Sequence, residues 1–353
     1  MQLPIINFVE IDFDKFDMII DVRSPLEYQL DHIIGSTNLP ALSDAERTEV
    51  GTIYKQESRF KARKIGAARI ARNVASHVEN YLFEKDREWR PLIYCWRGGQ
   101  RSFSFATILS QIGWRPTLLY GGYKKYRREV VDVMHKNHSD LKLILISGYT
   151  GTGKTELLNK LKSLGIQIID LENLANHRGS VLGGVTSSQP SQKLFESLLF
   201  KKISSLNPTK PIFVEAESNK IGNITIPPAF WYAMKNAQKI ELVAPIKERA
   251  RYLKKSYKDL TSNAERLCHR LDFLVTQQGN KRVAEWKQLA KKNQFESLAI
   301  QLMELHYDTR YLKSRSLSPI SITHQIKLEK ITNNELLKAA QKVKSLVGLL
   351  DEK

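Results

Sequence analysis

Cys95 stands where a short apolar run, PLIYC (91–95), meets the segment WRGGQRS and then the helical pattern SFSFATILSQIG. A thiol in that position, with Arg97, Gly98, Gly99 and Arg101 around it, has the surroundings of an anion-handling nucleophile. The backbone N–H groups of such a loop point into one concavity, and the helix that follows adds the positive end of its dipole. These features make a reactive thiol the expectation. The glycines let the backbone curl around an anion: a persulfide, a thiosulfate-like group or a phosphate. A buried, inert cysteine is the plain alternative. The strand, glycine and arginine context argues against it.

The second cluster is Gly148-Tyr149-Thr150-Gly151-Thr152-Gly153-Lys154-Thr155, a complete G-x-x-x-x-G-K-[ST] match. An apolar run, LKLILISG, precedes it and a helix-period stretch, KTELLNKLKSLG, follows. Gly148, Gly151 and Gly153 allow backbone amides to wrap a diphosphate, Lys154 supplies a cation to its terminal oxygens, and Thr155 is placed to hold Mg²⁺. Candidate metal-side or base carboxylates are Glu215 or Glu217 in IFVEAES, with Asp170 and Glu172 at the end of another strand. Each strand also reads as an ordinary buried sheet strand. His177-Arg178-Gly179-Ser180 offers groups for a diphosphate or RNA, or is a simple turn. The motif calls for a phosphate-bearing ligand without naming it.

The elements that must position these residues alternate. Strand-like runs at 17–22, 91–95 and 117–122 are separated by helical stretches, and 45–89 reads as mostly helical and mixed in charge. This predicts a parallel α/β domain over 1–138. A second α/β domain is expected over 139–240, from runs at 141–148, 166–172 and 211–218. Beyond 241 the strand signals fade, and a basic, mainly helical segment (241–353) is expected to pack on the second domain and contact nucleic acid. That segment holds 22 Lys and Arg against 13 Asp and Glu. Within it Arg251, Lys254 and Lys255, interleaved with Tyr252 and Tyr257, suit gripping RNA phosphates and stacking an unpaired base. A solvated helix face is the alternative.

Composition bounds the partners. The chain has 353 residues and a net charge of +18, which favours a polyanion, nucleic acid ahead of an anionic membrane. A dispersed basic surface that only aids solubility is the competing reading. Two cysteines, Cys95 and Cys268, cannot build a disulfide framework, so a reducing compartment is expected, with Cys268 an ordinary buried residue. MQLPIINFVE lacks a basic n-region followed by an apolar h-region, and no apolar stretch approaches a bilayer span. A cytoplasmic protein without membrane insertion is the expectation.

DVRSPLEYQLDHIIGSTNLP resembles the N-terminal part of rhodanese (sulfurtransferase) domains, with Asp21, Arg23, Glu27, His32 and Gly35 in order. LYGGYKKY is similar to the strand–Gly-Gly–helix that follows their active loop. Five residues separate Cys95 from Arg101, one more than in many sulfurtransferases, and this loop is similar to that of dual-specificity phosphatases. Tyr94, where such phosphatases have His, weighs against a phosphatase.

Across nearly its whole length the chain resembles the bacterial tRNA 2-selenouridine synthase family. The segments that carry the resemblance are SDAERTEVGTIYKQ (43–56), YCWRGGQRS (94–102), GYTGTGKTELL (148–158), DLENLANHRGSVLGG (170–184) and FVEAESNKIG (213–222). Gln100 departs from it, standing where Met is more often expected. The resemblance implies replacement of sulfur by selenium in wobble 2-thiouridine of tRNA, with selenophosphate as donor and a selenophosphate-supplying enzyme as a partner. It also implies S-geranylation from geranyl diphosphate, with Lys154 and Thr155 stabilising the departing pyrophosphate. Cys95, with Arg97 and Arg101, would receive or position selenophosphate, or assist loss of the geranylthiol; these roles stay open. The competing readings are a Cys-dependent phosphatase or sulfurtransferase fused to a small-molecule kinase, and a non-catalytic tRNA-binding module with vestigial loops. Intact Cys95, Arg101, Lys154 and Thr155 argue against the last.

Overall fold

The computed structural model describes residues 3–136, 138–180, 183, 188–316 and 322–350. It forms two compact units, Met1–Met134 with Pro190–Lys201, and His135–Gln189 with Lys202–Lys353.

The N-terminal unit is built on β1 (Ile5–Ile6), β2 (Met18–Asp21), α1 (Pro25–Leu30), β3 (Thr37–Asn38), α2 (Asp44–Gln56), α3 (Arg59–His77), β4 (Pro91–Tyr94), α4 (Gln100–Ile112), β5 (Thr117–Leu119) and α5 (Gly122–His135). The five strands form a parallel sheet in the order β1-β5-β4-β2-β3. All four residues of β4 are buried, as expected of a central strand covered on both faces. The chain leaves β2 toward one edge and β4 toward the other. The carboxyl ends of β2 and β4 therefore border the crevice where α/β sheets bind ligands. Ser24 and Ser43 open α1 and α2 with reciprocal Glu27 and Glu46 caps, satisfying first-turn N–H groups. On α3, Ala62, Gly66, Ile70 and Val74 are buried at four-residue spacing, which lays one ridge of the helix on the core.

The second unit begins with β6 (Leu143–Gly148), α6 (Lys154–Ser163), β7 (Gln167–Ile169) and α7 (Leu171–Leu174). Helix α8 (Gln192–Ser204) carries the chain through the residues that group with the first unit. Next come β8 (Ile212–Glu215), the hairpin β9 (Lys220–Ile221) and β10 (Ile224–Thr225), α9 (Pro228–Lys235) and β11 (Gln238–Val243). Then come the helices α10 (Ile246–Ser256), α11 (Lys258–Thr261), α12 (Ala264–Asp272), α13 (Val275–Gln278), α14 (Asn280–Lys291), α15 (Phe295–Leu302) and α16 (Asp308–Ser316), and after them β12 (Ile322–Lys327) and α17 (Asn333–Leu350). Its main sheet is parallel, ordered β12-β11-β6-β8-β7. Central β6 is wholly buried and ends at Gly148.

The segment after 241 is mainly helical. Helices α11 to α15 close around fully buried Trp286, with Leu267, Leu271, Leu274, Val283 and Leu298, and Trp286 Nε1 donates to Gln301 at 3.0 Å. The same segment also supplies β12, which pairs with β11 and completes the sheet edge. Its sequence, ITHQIK, buries only Ile326 fully; an edge strand this polar has almost no apolar signature to read. Among the described residues, no helix is long and apolar enough to cross a membrane.

Candidate functional site

Two sites lie at the carboxyl ends of the two sheets, one in each unit. In the second unit the turn after β6 depends on glycines, as two of them show. At Gly148, φ is +143° and a Cβ would lie 2.6 Å from the Leu242 carbonyl oxygen of neighbouring β11. Gly153, at φ +82°, caps α6 in the left-handed region, which L-residues with side chains seldom adopt. The loop then runs into the N-terminus of α6, where the free N–H groups and the helix dipole favour phosphate. Lys154 Nζ reaches back to the Gly148 carbonyl at 3.2 Å, and Thr155 Oγ1 donates to Glu172 Oε2 at 3.2 Å.

Four carboxylates gather beside this loop because β8 and β7 follow β6 in the sheet. Asp170 caps α7 by accepting from Asn173 N–H at 2.9 Å. Glu215 is buried; its Oε2 accepts the Glu172 N–H at 3.3 Å, while its Oε1 has no hydrogen-bond partner among the described residues. Burial, reinforced by the charge of Glu217, pushes the Glu172 carboxyl up to about 8. Burial and then Glu172 drive Glu215 well above the usual carboxylate range. Burial raises Glu217 as well, against the pull of Lys154. Like charges this close hold protons until a cation shares the site. Gly179, at φ +66°, sits directly on the cluster: a Cβ there would be 2.6 Å from both Glu172 Oε1 and Glu217 Oε2.

His177 and Arg178 lie next to these carboxylates with different allegiances. His177 N–H donates to the Glu172 carbonyl at 3.0 Å, and burial, helped by Arg270, lowers its ring pKa. Arg178 is committed to Asp259 at 2.9 Å and lies 4.7 Å over the Tyr257 ring. Of the motif at 170–184, residues 181, 182 and 184 lie outside the described residues. Arg251 is paired with Glu248 at 2.6 Å and Lys254 with Glu296 at 3.1 Å.

Two features beside the loop have no local sequence signal. Arg249, buried, forms a bidentate pair with Asp308 (3.0 and 2.7 Å) and donates to the Thr150 carbonyl at 3.2 Å, bracing the loop from α10. Beyond Thr150 and Ser180 opens a narrow apolar pocket, walled by Leu253, Tyr257, Leu260, Phe295, Leu302 and Met303. Burial pushes the Tyr257 hydroxyl up to about 12. Thr150 of the phosphate loop is itself part of this wall, and Ser180 Oγ lies 3.4 Å from the Tyr257 hydroxyl.

In the N-terminal unit, Cys95 directly follows β4 and is buried. Its Sγ accepts from Gly99 N–H and from Ser102 Oγ, each at 3.2 Å. The start of α5 fixes the loop: Tyr123 N–H donates to the Cys95 carbonyl and Lys124 N–H to that of Trp96, both at 2.9 Å. A Cβ on Gly122 would fall 2.3 Å from the Cys95 carbonyl oxygen. Arg97 is exposed. Arg101 is held by Glu27 at 2.8 Å, and Glu27 also pairs with Arg47 at 2.9 Å. Burial opposes ionisation of Glu27, but the two guanidiniums hold it below its ordinary value. Asp21 and Arg23 form a buried pair at 2.6 Å beneath the loop, with Arg23 stacked 3.9 Å from the Tyr123 ring.

Comparison with known proteins matches both units. Residues 10–129 fit the family model described as a rhodanese-like domain, and residues 141–285 fit that described as the tRNA 2-selenouridine synthase AAA domain. A protein named tRNA 2-selenouridine synthase from Nitrosomonas europaea is 35% identical over 65% of this chain and 61% of its own length. A namesake from Hydrogenovibrio crunogenus is 34% identical over 70% of each chain, and one from Aeromonas salmonicida 32% over 72% and 69%. The match thus spans about three fifths of the length of the Nitrosomonas europaea protein.

Proposed function

The chain belongs to the tRNA 2-selenouridine synthase family, and from that premise we propose that it replaces the sulfur of wobble 2-thiouridine in tRNA by selenium. Selenophosphate is the selenium donor, delivered by a partner enzyme that makes it. S-geranylation by geranyl diphosphate is the preparing step. The observation that carries this reading is that Thr150 belongs both to the phosphate loop and to the wall of the apolar pocket. A donor with a diphosphate head and a hydrocarbon tail needs both surfaces in contact.

In the first step the thiouridine sulfur attacks the allylic carbon of geranyl diphosphate. The C–S bond forms as the C–O bond breaks, pyrophosphate leaves with the electron pair, and the N3 proton of the base is released. Lys154 and the backbone amides of Gly151 and Gly153 take up the charge growing on the diphosphate. Thr155 and Glu172, in hydrogen-bond contact at 3.2 Å, would hold a Mg²⁺ ion, which when bound would neutralise the leaving group further. The apolar wall keeps water from the allylic carbon.

In the second step the selenium of selenophosphate adds to C2 of the base, and geranylthiol leaves with a proton. Water then cleaves the P–Se bond and releases phosphate. The donors converging on Cys95 Sγ support a role for this loop in the selenium step, where it positions the anion. Arg251, Lys254 and Lys255 remain candidates for the tRNA surface.

The test is mass analysis of the wobble nucleoside in tRNA incubated with the enzyme, geranyl diphosphate and selenophosphate. Absence of both geranylated and selenated products would refute the reading. The length of the Cys95 loop favours one alternative, a Cys-dependent phosphatase fused to a small-molecule kinase. The engagement of Arg101 by Glu27 weighs against the phosphatase, and turnover of a phosphate ester would reveal it.

A further inference from the structure

Helix α3 carries charge of one sign: six Lys and Arg and no Asp or Glu in 19 residues. Because its buried ridge is Ala62, Gly66, Ile70 and Val74, the two next ridges at the same spacing face outward. These are Arg59-Arg63-Ala67-Ala71 and Phe60-Lys64-Ala68-Arg72, and all eight residues are exposed. Two other cations of the helix are spent within the fold, Lys61 on Glu57 at 2.6 Å and Arg69 on Glu49 at 2.8 Å. Among the described residues, no carboxylate is in ion-pairing distance of Arg59, Arg63, Lys64 or Arg72. Arg59 and Lys64 instead lie over the exposed rings of Tyr54 and Phe60, at 5.6 and 5.0 Å.

We infer that this outward face of α3 is an RNA-binding surface in the N-terminal unit. Arg59 to Arg72 spans about 20 Å of helix at 1.5 Å per residue, enough to meet several successive phosphates. The bare alanines between the cations let a sugar–phosphate backbone approach without obstruction. Phe60 and Tyr54 offer ring faces for an unpaired base. An anionic membrane is a poorer fit, because the face lacks the apolar area that an interfacial helix buries. The identity of the RNA as tRNA rests on the reading above; the surface itself does not.

The test compares the full-length protein with the Arg59→Gln, Arg63→Gln, Lys64→Gln, Arg72→Gln variant, titrating an unmodified tRNA transcript over a range of salt. The slope of log affinity against log salt should fall by roughly three to four, and affinity at moderate salt by about tenfold or more. A variant with Lys at all four positions should keep the slope. Unchanged circular dichroism and pyrophosphate binding would show that the Gln variant is folded. A slope equal to wild type in that folded variant overturns the inference. So does loss of binding to phosphatidylserine vesicles with tRNA binding intact, which would make the face a lipid contact. If the wild-type protein binds no tRNA at any salt, the tRNA reading falls together with this surface. If it binds and selenates tRNA while the Gln variant keeps its slope, only the α3 surface falls.

Discussion

Thr155 Oγ1 donates to Glu172 Oε2 at 3.2 Å, so the last residue of the phosphate loop and a carboxyl raised by burial and by Glu217 share one site. The hydroxyl expected to hold a cation is already turned toward a carboxyl that a bound cation would deprotonate. Protonation of Glu172 therefore governs how the site responds to pH.

In the ligand-free protein, burial and Glu217 raise Glu172 from 4.5 to about 8. Between those values the folded state keeps a proton that the unfolded chain has released. The folded state thus binds more protons, and the Glu172 contribution to stability is present at low pH and is lost as pH rises toward 8. Thermal unfolding of wild type should lose stability over this window, on the order of a few kcal/mol at most. Glu172→Gln should flatten that decline; parallel curves for the two proteins would defeat the prediction.

Lys154→Ala should lower geranylation of 2-thiouridine tRNA by about a hundredfold or more, the usual cost of removing a donor from a developing anion. Selenation should fail with it, because the leaving group is never prepared. Supplying pre-geranylated tRNA should restore selenouridine, read by nucleoside mass spectrometry. Full selenation of unmodified 2-thiouridine tRNA by this variant would break the proposed order of steps.

Cys95→Ser is expected to do the reverse. Cys95 and the phosphate loop belong to different units, and independent sites add rather than couple. Geranylation should stay within roughly a factor of three of wild type, while geranylated tRNA accumulates and selenouridine does not form. Loss of geranylation with the fold intact would end this division of labour.

Ala299 lines the apolar pocket on α15, and Ala299→Phe should fill part of it. The KM for geranyl diphosphate should rise roughly tenfold, in keeping with the 1–3 kcal/mol that small changes in an apolar pocket are worth. Inhibition by inorganic pyrophosphate, which has no tail, should not change. An equal loss of affinity for both would place the tail elsewhere.

Much of this protein is legible along the chain because its determinants are contiguous. The phosphate loop is complete in eight adjacent residues, 148–155, and the apolar runs of β4, β6 and β8 announce buried parallel strands. The Cys95 loop, the strand before it and the helix after it are equally local. Glu215, Glu217, Asp170 and Glu172 can be named as candidates from strand ends alone. Ranking them cannot be done that way, since their protonation depends on mutual distance and burial.

The rest was decided by pairs that only folding brings together. Arg101 meets Glu27 across 74 residues, Arg178 meets Asp259 across 81, and Arg249 meets Asp308 across 59. In sequence Arg251 and Lys254 are part of a basic run; in the structure each faces a carboxylate. The stretch 45–89 reads as mixed in charge, yet folding leaves α3 with an exposed face whose charges are all positive. Sequence alone determined which backbone motifs this chain builds, because turns, caps and apolar periodicity are local properties. Which charges are spent inside the fold and which remain for a ligand was settled only in three dimensions, where Coulomb interactions and desolvation act through distance and not through chain order.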